Sequence, residues 1–191
     1  MNKSNEIRVA ITGFGGLDNS EPGTAVARAL KSGWEGKISI DALGYDPWMT
    51  GAFSPGLIDN IHILPALADG DHAILERIIE INEKRKFHAI IPTLELEISV
   101  LSRLEERLKS KGIKVLVPSN EHVNMVTKTL LPYFCYRNKI PTPITLHVPN
   151  VNDVPFHANQ FTYPIMVKGV VAFAQKVDNW SDALFYARKF N

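Results

Sequence analysis

Two hydrophobic periodicities alternate along residues 1–118. The stretch Ile7–Thr12 (IRVAIT) is short, apolar and rich in β-branched residues, and it runs into glycines, the pattern of a buried strand. TAVARALKSG then changes to a helical period, with Ala25, Ala29 and Leu30 near one face and Gly33 marking its end. KISIDALG reads as a second strand. ADGDHAILERIIEINEKRK predicts a helix with Asp71 as N-cap and Ile74, Leu75, Ile78 and Ile79 as its apolar stripe. FHAIIPT predicts a third strand. ISVLSRLEERLKSKG predicts a helix with Ile98, Leu101, Leu104 or Glu105, and Leu108 in register, and with Glu105 and Lys109 as an i,i+4 pair on its outer face. GIKVLVPS predicts a fourth strand.

Short apolar strands joined by helical crossovers predict an α/β unit whose parallel sheet is covered on both faces. Ligands of such sheets bind beyond the carboxyl ends of the strands. The loops after Thr12, Gly44 and Pro92 are therefore the first places to look for chemistry.

From Ser119 the pattern changes. Ser119 is a good N-cap, and Val123, Val126, Thr127, Leu130 and Phe134 fall on one helical face, with Pro132 inside the pattern to kink or break it. IPTPITLHVPNVNDVPFHANQ is proline-rich and reads as an irregular linker. TYPIMVKG and VVAFAQKV follow as strands, and residues from about Ser181 to Phe190 as a last helix. The expected division is 1–118, a connecting helix and linker over 119–143, and a further α+β portion over 144–191.

Composition narrows the function classes. Hydrophobic residues make up 45% of the 191, enough for a sizeable core, and charges nearly cancel at +1. Nucleic-acid binding would need a basic surplus, so neither a nucleic acid nor an anionic membrane surface is the expected partner. No apolar run approaches the roughly 20 residues needed to span a bilayer. The single cysteine, Cys135, forbids an internal disulfide and a multi-cysteine metal site and suits a reducing cytoplasm. It reads as a core filler. The six histidines show no i,i+4 pairing.

Gly13, Gly15 and Gly16 form a tight turn after the first strand, suited to close backbone approach. They fall short of a full G-x-G-x-x-G, since Asp18 holds the last position, and Asp41 and Asp46 are imperfectly placed for a dinucleotide ribose. An NAD(P)-binding protein is thus a weak third reading. Glu95 and Glu97, after Thr93, either touch substrate or cap a helix dipole. Lys168 lies in an apolar strand, where its ammonium must reach water or an anion.

Three segments, in order, resemble the ATP-grasp superfamily, closest to its carbamoyl-phosphate-synthase-like and amino-acid-ligase-like members. They are AIIPTLELEISVLSRLEERLKSKGIKVLVPS, NMVTKTLLPYFCYRNKIPTPIT and YPIMVKG. The resemblance implies a Rossmann-like pre-ATP-grasp domain over 1–118, followed from 144 by the first part of an incomplete α+β ATP-grasp domain. It implies an ATP-dependent carboxylate–amine (or carboxylate–nucleophile) ligase acting through an acyl phosphate. It places Lys128 and Lys168 on the ATP phosphates and leaves Gly13, Gly15, Gly16, Thr93 and Glu95 to face a small carboxylate or amine substrate. It also implies Mg²⁺, whose late acidic ligand pair is missing after Lys168. Lys168 is followed by GVVAFAQKV rather than a long glycine-rich loop, so a short hairpin is expected there. The expectation is therefore an N-terminal portion of a catalytic unit, with a dimer or partner chain meeting it through the C-terminal region. The alternative is a non-catalytic nucleotide or small-molecule binding module.

Overall fold

The structure is a computed structural model, and it describes residues 6–15, 21–170 and 173–190. The chain divides into two compact units, residues 1–123 and 124–191.

The first unit is a five-stranded parallel sheet of β1 (Ile7–Ile11), β2 (Ile38–Gly44), β3 (Asn60–Ile63), β4 (Ala89–Ile91) and β5 (Lys114–Val115), in the order β3-β2-β1-β4-β5. Its helices are α1 (Pro22–Gly33), α2 (Asp71–Arg85) and α3 (Glu95–Ser110). The chain winds outward from β1 to β3, then α2 returns it to the far side of β1. The strand order therefore reverses between β1 and β4.

The period-2 pattern of the strands explains the two-sided burial. Ala10, Leu43 and Ile90 face one core, built with Ile74, Leu75 and Ile78 of α2 and Leu101, Leu104 and Leu108 of α3. Val9, Ile11, Ile40 and Ala42 face the other, with Ala27 of α1, Phe14, Met49 and Leu57. Each strand must therefore be apolar on both sides, as parallel sheets covered by helices require.

Four details depart from the sequence reading. β3 is an additional edge strand. On α1 the buried residues are Gly23, Thr24 and Ala27, while Ala25 and Ala29 are exposed. α3 begins at Glu95, three residues before the apolar pattern, which places Glu95 and Glu97 in its first turn. Lys109 pairs with Glu106 at 3.4 Å rather than with Glu105.

α4 (Asn120–Met125) crosses the division between the units, and α5 (Leu131–Arg137), α6 (Val154–Ala158), β6 (Ile165–Lys168), β7 (Ala174–Val177) and α7 (Trp180–Phe190) follow. The helix expected from Ser119 is broken at residues 126–130. Pro132 has no N–H and its ring would strike the carbonyl of Lys128, so a continuous helix cannot pass; Pro132 instead occupies the first turn of α5. The proline-rich stretch is likewise not all linker, because it contains a 3₁₀ turn at Val151–Asp153 and α6. Ala158, Val177 and Ala183 form the small core of this unit, with Tyr163, Ile165, Val167 and Tyr186 packed on it. Cys135 is buried.

Candidate functional site

The carboxyl ends of β1 and β4 flank the point where the strand order reverses. Thr12, directly after β1, donates its hydroxyl proton to Glu97 Oε2. Thr93, two residues after β4, donates its backbone N–H to Thr12 Oγ1 and its hydroxyl to the Thr12 carbonyl, both at 2.9 Å. The Thr12 N–H bonds the Ile91 carbonyl at 3.2 Å. Gly13 sits in this seam at φ +78°, and an added Cβ would meet Thr93 Oγ1. Gly13 and Thr93 thus meet at the carboxyl ends of β1 and β4.

Glu97 lies in the first turn of α3. It is only 1% exposed. Burial pushes its carboxyl above the usual range, while the hydroxyls of Thr12 and Tyr45 favour the ionised form and offset part of this. Burial also pushes the Tyr45 phenol up, and the negative Glu97 beside it adds to that. Among the described residues Glu97 Oε1 has no hydrogen-bond partner. Glu95, two residues earlier, is exposed and engages other groups. Gly15 is exposed, 3.8 Å from Met49 Cβ at the position of an added Cβ. Gly16 lies outside the described residues.

Among the described residues, the N–H groups at the start of α1 are already engaged. Pro22 has no N–H, the Gly23 N–H is bonded to the Gly13 carbonyl at 2.9 Å, and those of Thr24 and Ala25 reach the Glu21 carbonyl at 3.1 and 3.4 Å. The Glu21 carboxylate also lies there, accepting from Thr24 Oγ1 at 3.1 Å and from Thr50 Oγ1. Asp41 cannot serve a ribose. It is fully buried and accepts from Arg85 Nε at 2.6 Å, Arg85 Nη2 at 2.9 Å and Asn60 Nδ2 at 3.1 Å, with His62 Nε2 at 2.8 Å. Among the described residues, the start of α1 and the Asp41 carboxylate are thus both bonded within the protein.

In the second unit β6 and β7 pair antiparallel, with Lys168 opposite Ala174 and Met166 opposite Lys176. Ile165, Val167 and Val177 turn toward the small core, so Met166, Lys168, Ala174 and Lys176 share the exposed face. The two lysines are diagonal neighbours, a relation that places Cβ atoms about 7–8 Å apart. Among the described residues neither is in an ion pair. This face presents two mobile point charges, suited to phosphate oxygens. Lys176 carries no signal in the sequence because its strand neighbours are unremarkable. Lys128 lies in the turn between α4 and α5 rather than on a helix, is half-buried, and engages other groups. Among the described residues no group of three or more His, Cys, Asp or Glu could hold a metal ion. No helix among them is long and apolar enough to cross a membrane.

No protein-family model matches the chain, and no curated protein sequence does. Solved structures do. An L-amino acid ligase from Bacillus licheniformis aligns over 96% of this chain and 42% of its own, with TM-score 0.65 and 13% identity. A biotin carboxylase from Campylobacter jejuni, in a β,γ-ATP complex, aligns over 96% and 42%, with TM-score 0.60 and 16% identity. An N5-carboxyaminoimidazole synthase from Aspergillus clavatus, with ADP and 5-aminoimidazole ribonucleotide, aligns over 98% and 44%, with TM-score 0.58 and 13% identity. The chain spans roughly two-fifths of the length of these proteins. A parallel five-stranded sheet followed by an α/β hairpin unit, matched over nearly all of its length, gives this chain the fold of the ATP-grasp enzymes.

Proposed function

We propose that the chain is the N-terminal portion of an ATP-dependent carboxylate–amine ligase, with a Rossmann-like pre-ATP-grasp domain over 1–118, a connector over 119–143 and the first part of the nucleotide-gripping domain over 144–191. In such a reaction a substrate carboxylate oxygen takes the γ-phosphoryl group as ADP leaves. The amine nitrogen then attacks the acyl carbon, phosphate leaves, and the nitrogen loses a proton. A cytoplasmic, small-molecule enzyme that meets a partner chain or second copy through its C-terminal region fits this reading.

The observation that carries the proposal is the exposed face of β6 and β7. Lys168 stands on it with its ammonium unpaired among the described residues, on a strand whose other face is anchored in a core. A held stem and a free ammonium suit an ATP phosphate. Lys128 is the second phosphate contact in this reading, and Gly13, Gly15, Gly16, Thr93 and Glu95 face the acceptor substrate, with Glu97 behind them. The described residues supply no carboxylate cluster for Mg²⁺, so no step is assigned to a metal here.

Calorimetric titration with ATP, with and without Mg²⁺, tests the reading on the chain and on Lys168→Ala. One charge-assisted contact contributes about 1.5–3 kcal/mol, so the variant should bind ATP roughly ten- to a hundredfold more weakly. Equal affinity in the two proteins would sink the assignment. A folded chain that binds ATP through Lys168 without supporting acyl-phosphate formation in any longer form would instead favour a non-catalytic nucleotide-binding module.

A further inference from the structure

We propose that the carboxyl edge of the first unit's sheet receives a cationic, unphosphorylated amine, anchored by the Glu97 carboxylate. The inference rests on the ligase reading only for the site's role as the acceptor side; its chemistry stands on the first unit alone.

The first observation is the charge of the edge. Five connections leave the carboxyl ends of the strands: residues 12–21, 45–59, 64–70, 92–94 and 116–119. None of them contains a lysine or arginine, although the chain has 21. Their described acidic residues and those of the helix starts include Glu21, Asp46, Asp71, Glu95 and Glu97. These connections offer a phosphorylated or carboxylate-rich acceptor no cation of their own, and Arg103, beside the start of α2, is already paired with Asp71.

The second is the state of the helix N-termini, the usual berths for anions. At α1 the first free N–H groups are bonded to the Gly13 and Glu21 carbonyls, and the Glu21 carboxylate covers the end. At α2 and α3 the first turns carry Asp71 and Glu95 with Glu97. Acidic first turns stabilise helices through the macrodipole whether or not a ligand binds. Alone they would mean no more than that.

The third observation separates Glu97 from this ordinary role. A carboxylate that serves only the helix dipole remains at the surface. Glu97 is instead 1% exposed, with its head group among the carboxyl ends of β1, β2 and β4, through Thr12, Tyr45 and Thr93–Leu94. One oxygen is held by Thr12 and the other, Oε1, has no partner among the described residues. A buried, unpartnered carboxylate oxygen is costly, and a buried ammonium is costly too. Bringing the two together satisfies both. An ammonium donates to Oε1 without disturbing the Thr12 bond, and the raised carboxyl pKa falls as the ion pair forms.

The probes are n-propylammonium and n-propyl phosphate, titrated into the full chain while the backbone amides of Gly13–Gly15 and Thr93–Glu97 are followed by NMR. The ammonium should produce saturating shifts at both segments, and the phosphate none. Affinity for the ammonium should rise with pH as Glu97 ionises. Glu97→Gln, which keeps shape but not charge, should weaken the ammonium about tenfold or more. Absence of ammonium shifts, binding of the phosphate at the same amides, or unchanged ammonium affinity in Glu97→Gln each overturns the proposal. If that variant fails to fold, the two probes and the pH series on the unaltered chain still decide. An ATP titration of the same samples keeps the ligase reading separate: ammonium binding without ATP binding removes the ligase and leaves this site standing.

Discussion

The Asp41–Arg85 clamp gives the clearest quantitative test of the first unit. Asp41 stands in the middle of β2 with 1% of its side chain exposed, and Arg85 ends α2 with 28% exposed. The guanidinium makes two bonds to one carboxylate, at 2.6 and 2.9 Å, and so ties the last turn of α2 to the sheet. Arg85→Ala leaves the carboxylate buried with only His62 and Asn60 to satisfy it. Removing one member of a buried pair costs roughly 3–5 kcal/mol, and water reaching the vacated space puts the expected loss near the lower end, about 3 kcal/mol. Replacing both members, as Asp41→Val with Arg85→Met, removes the stranded charge and restores an apolar contact. That double variant should lie within about 1 kcal/mol of the parent. Urea unfolding in a Trp180→Phe background reads the first unit through Trp34 and Trp48, and a common m-value licenses the comparison. An Arg85→Ala loss below about 1 kcal/mol, or a double variant as unstable as the two singles added together, would refute the argument that the buried charge, rather than the packing, dominates.

Three further outcomes are expected. Glu97 has its folded pKa raised by burial, so its neutral form is the one folding favours. Its contribution to stability is present below its unfolded pKa and is lost as pH rises through the folded value. Thermal melts of the parent should show this decline above the usual glutamate range, and Glu97→Gln should flatten it; an identical pH profile in the two proteins would refute the reasoning. Gly13→Ala forces a left-handed φ on a residue whose Cβ also meets Thr93, so a loss of about 1–3 kcal/mol is expected by urea unfolding. Gly15→Ala, where among the described residues an added Cβ meets only ordinary contact with Met49, should stay within about 0.5 kcal/mol, and equal losses at the two glycines would contradict the geometry.

What the sequence made legible follows from how each signal is encoded. β1, β2 and β4 are apolar on both faces because both faces are buried, so their runs announce themselves without any partner being known. β3 does not, because NIHI spends Asn60 and His62 on Asp41, and the bonds that make a polar strand sensible lie on another strand. The fate of Asp41 was hidden for the same reason: its arginine is 44 positions away. Pro132 was visible as a break, but only the clash with the carbonyl four residues earlier locates that break before the proline, leaving Lys128 in a turn. Glu95 and Glu97 look alike in the string ELE. Helical spacing sends the side chain at 97 inward beside Val100 and Leu101, while 95 stays at the rim. An acidic residue in a position that helical phase assigns to the core, directly after a strand ending at a sheet's reversal point, is therefore the signal that was there to be read. It marks a carboxylate kept out of water at a cost, which the proposed ammonium would remove.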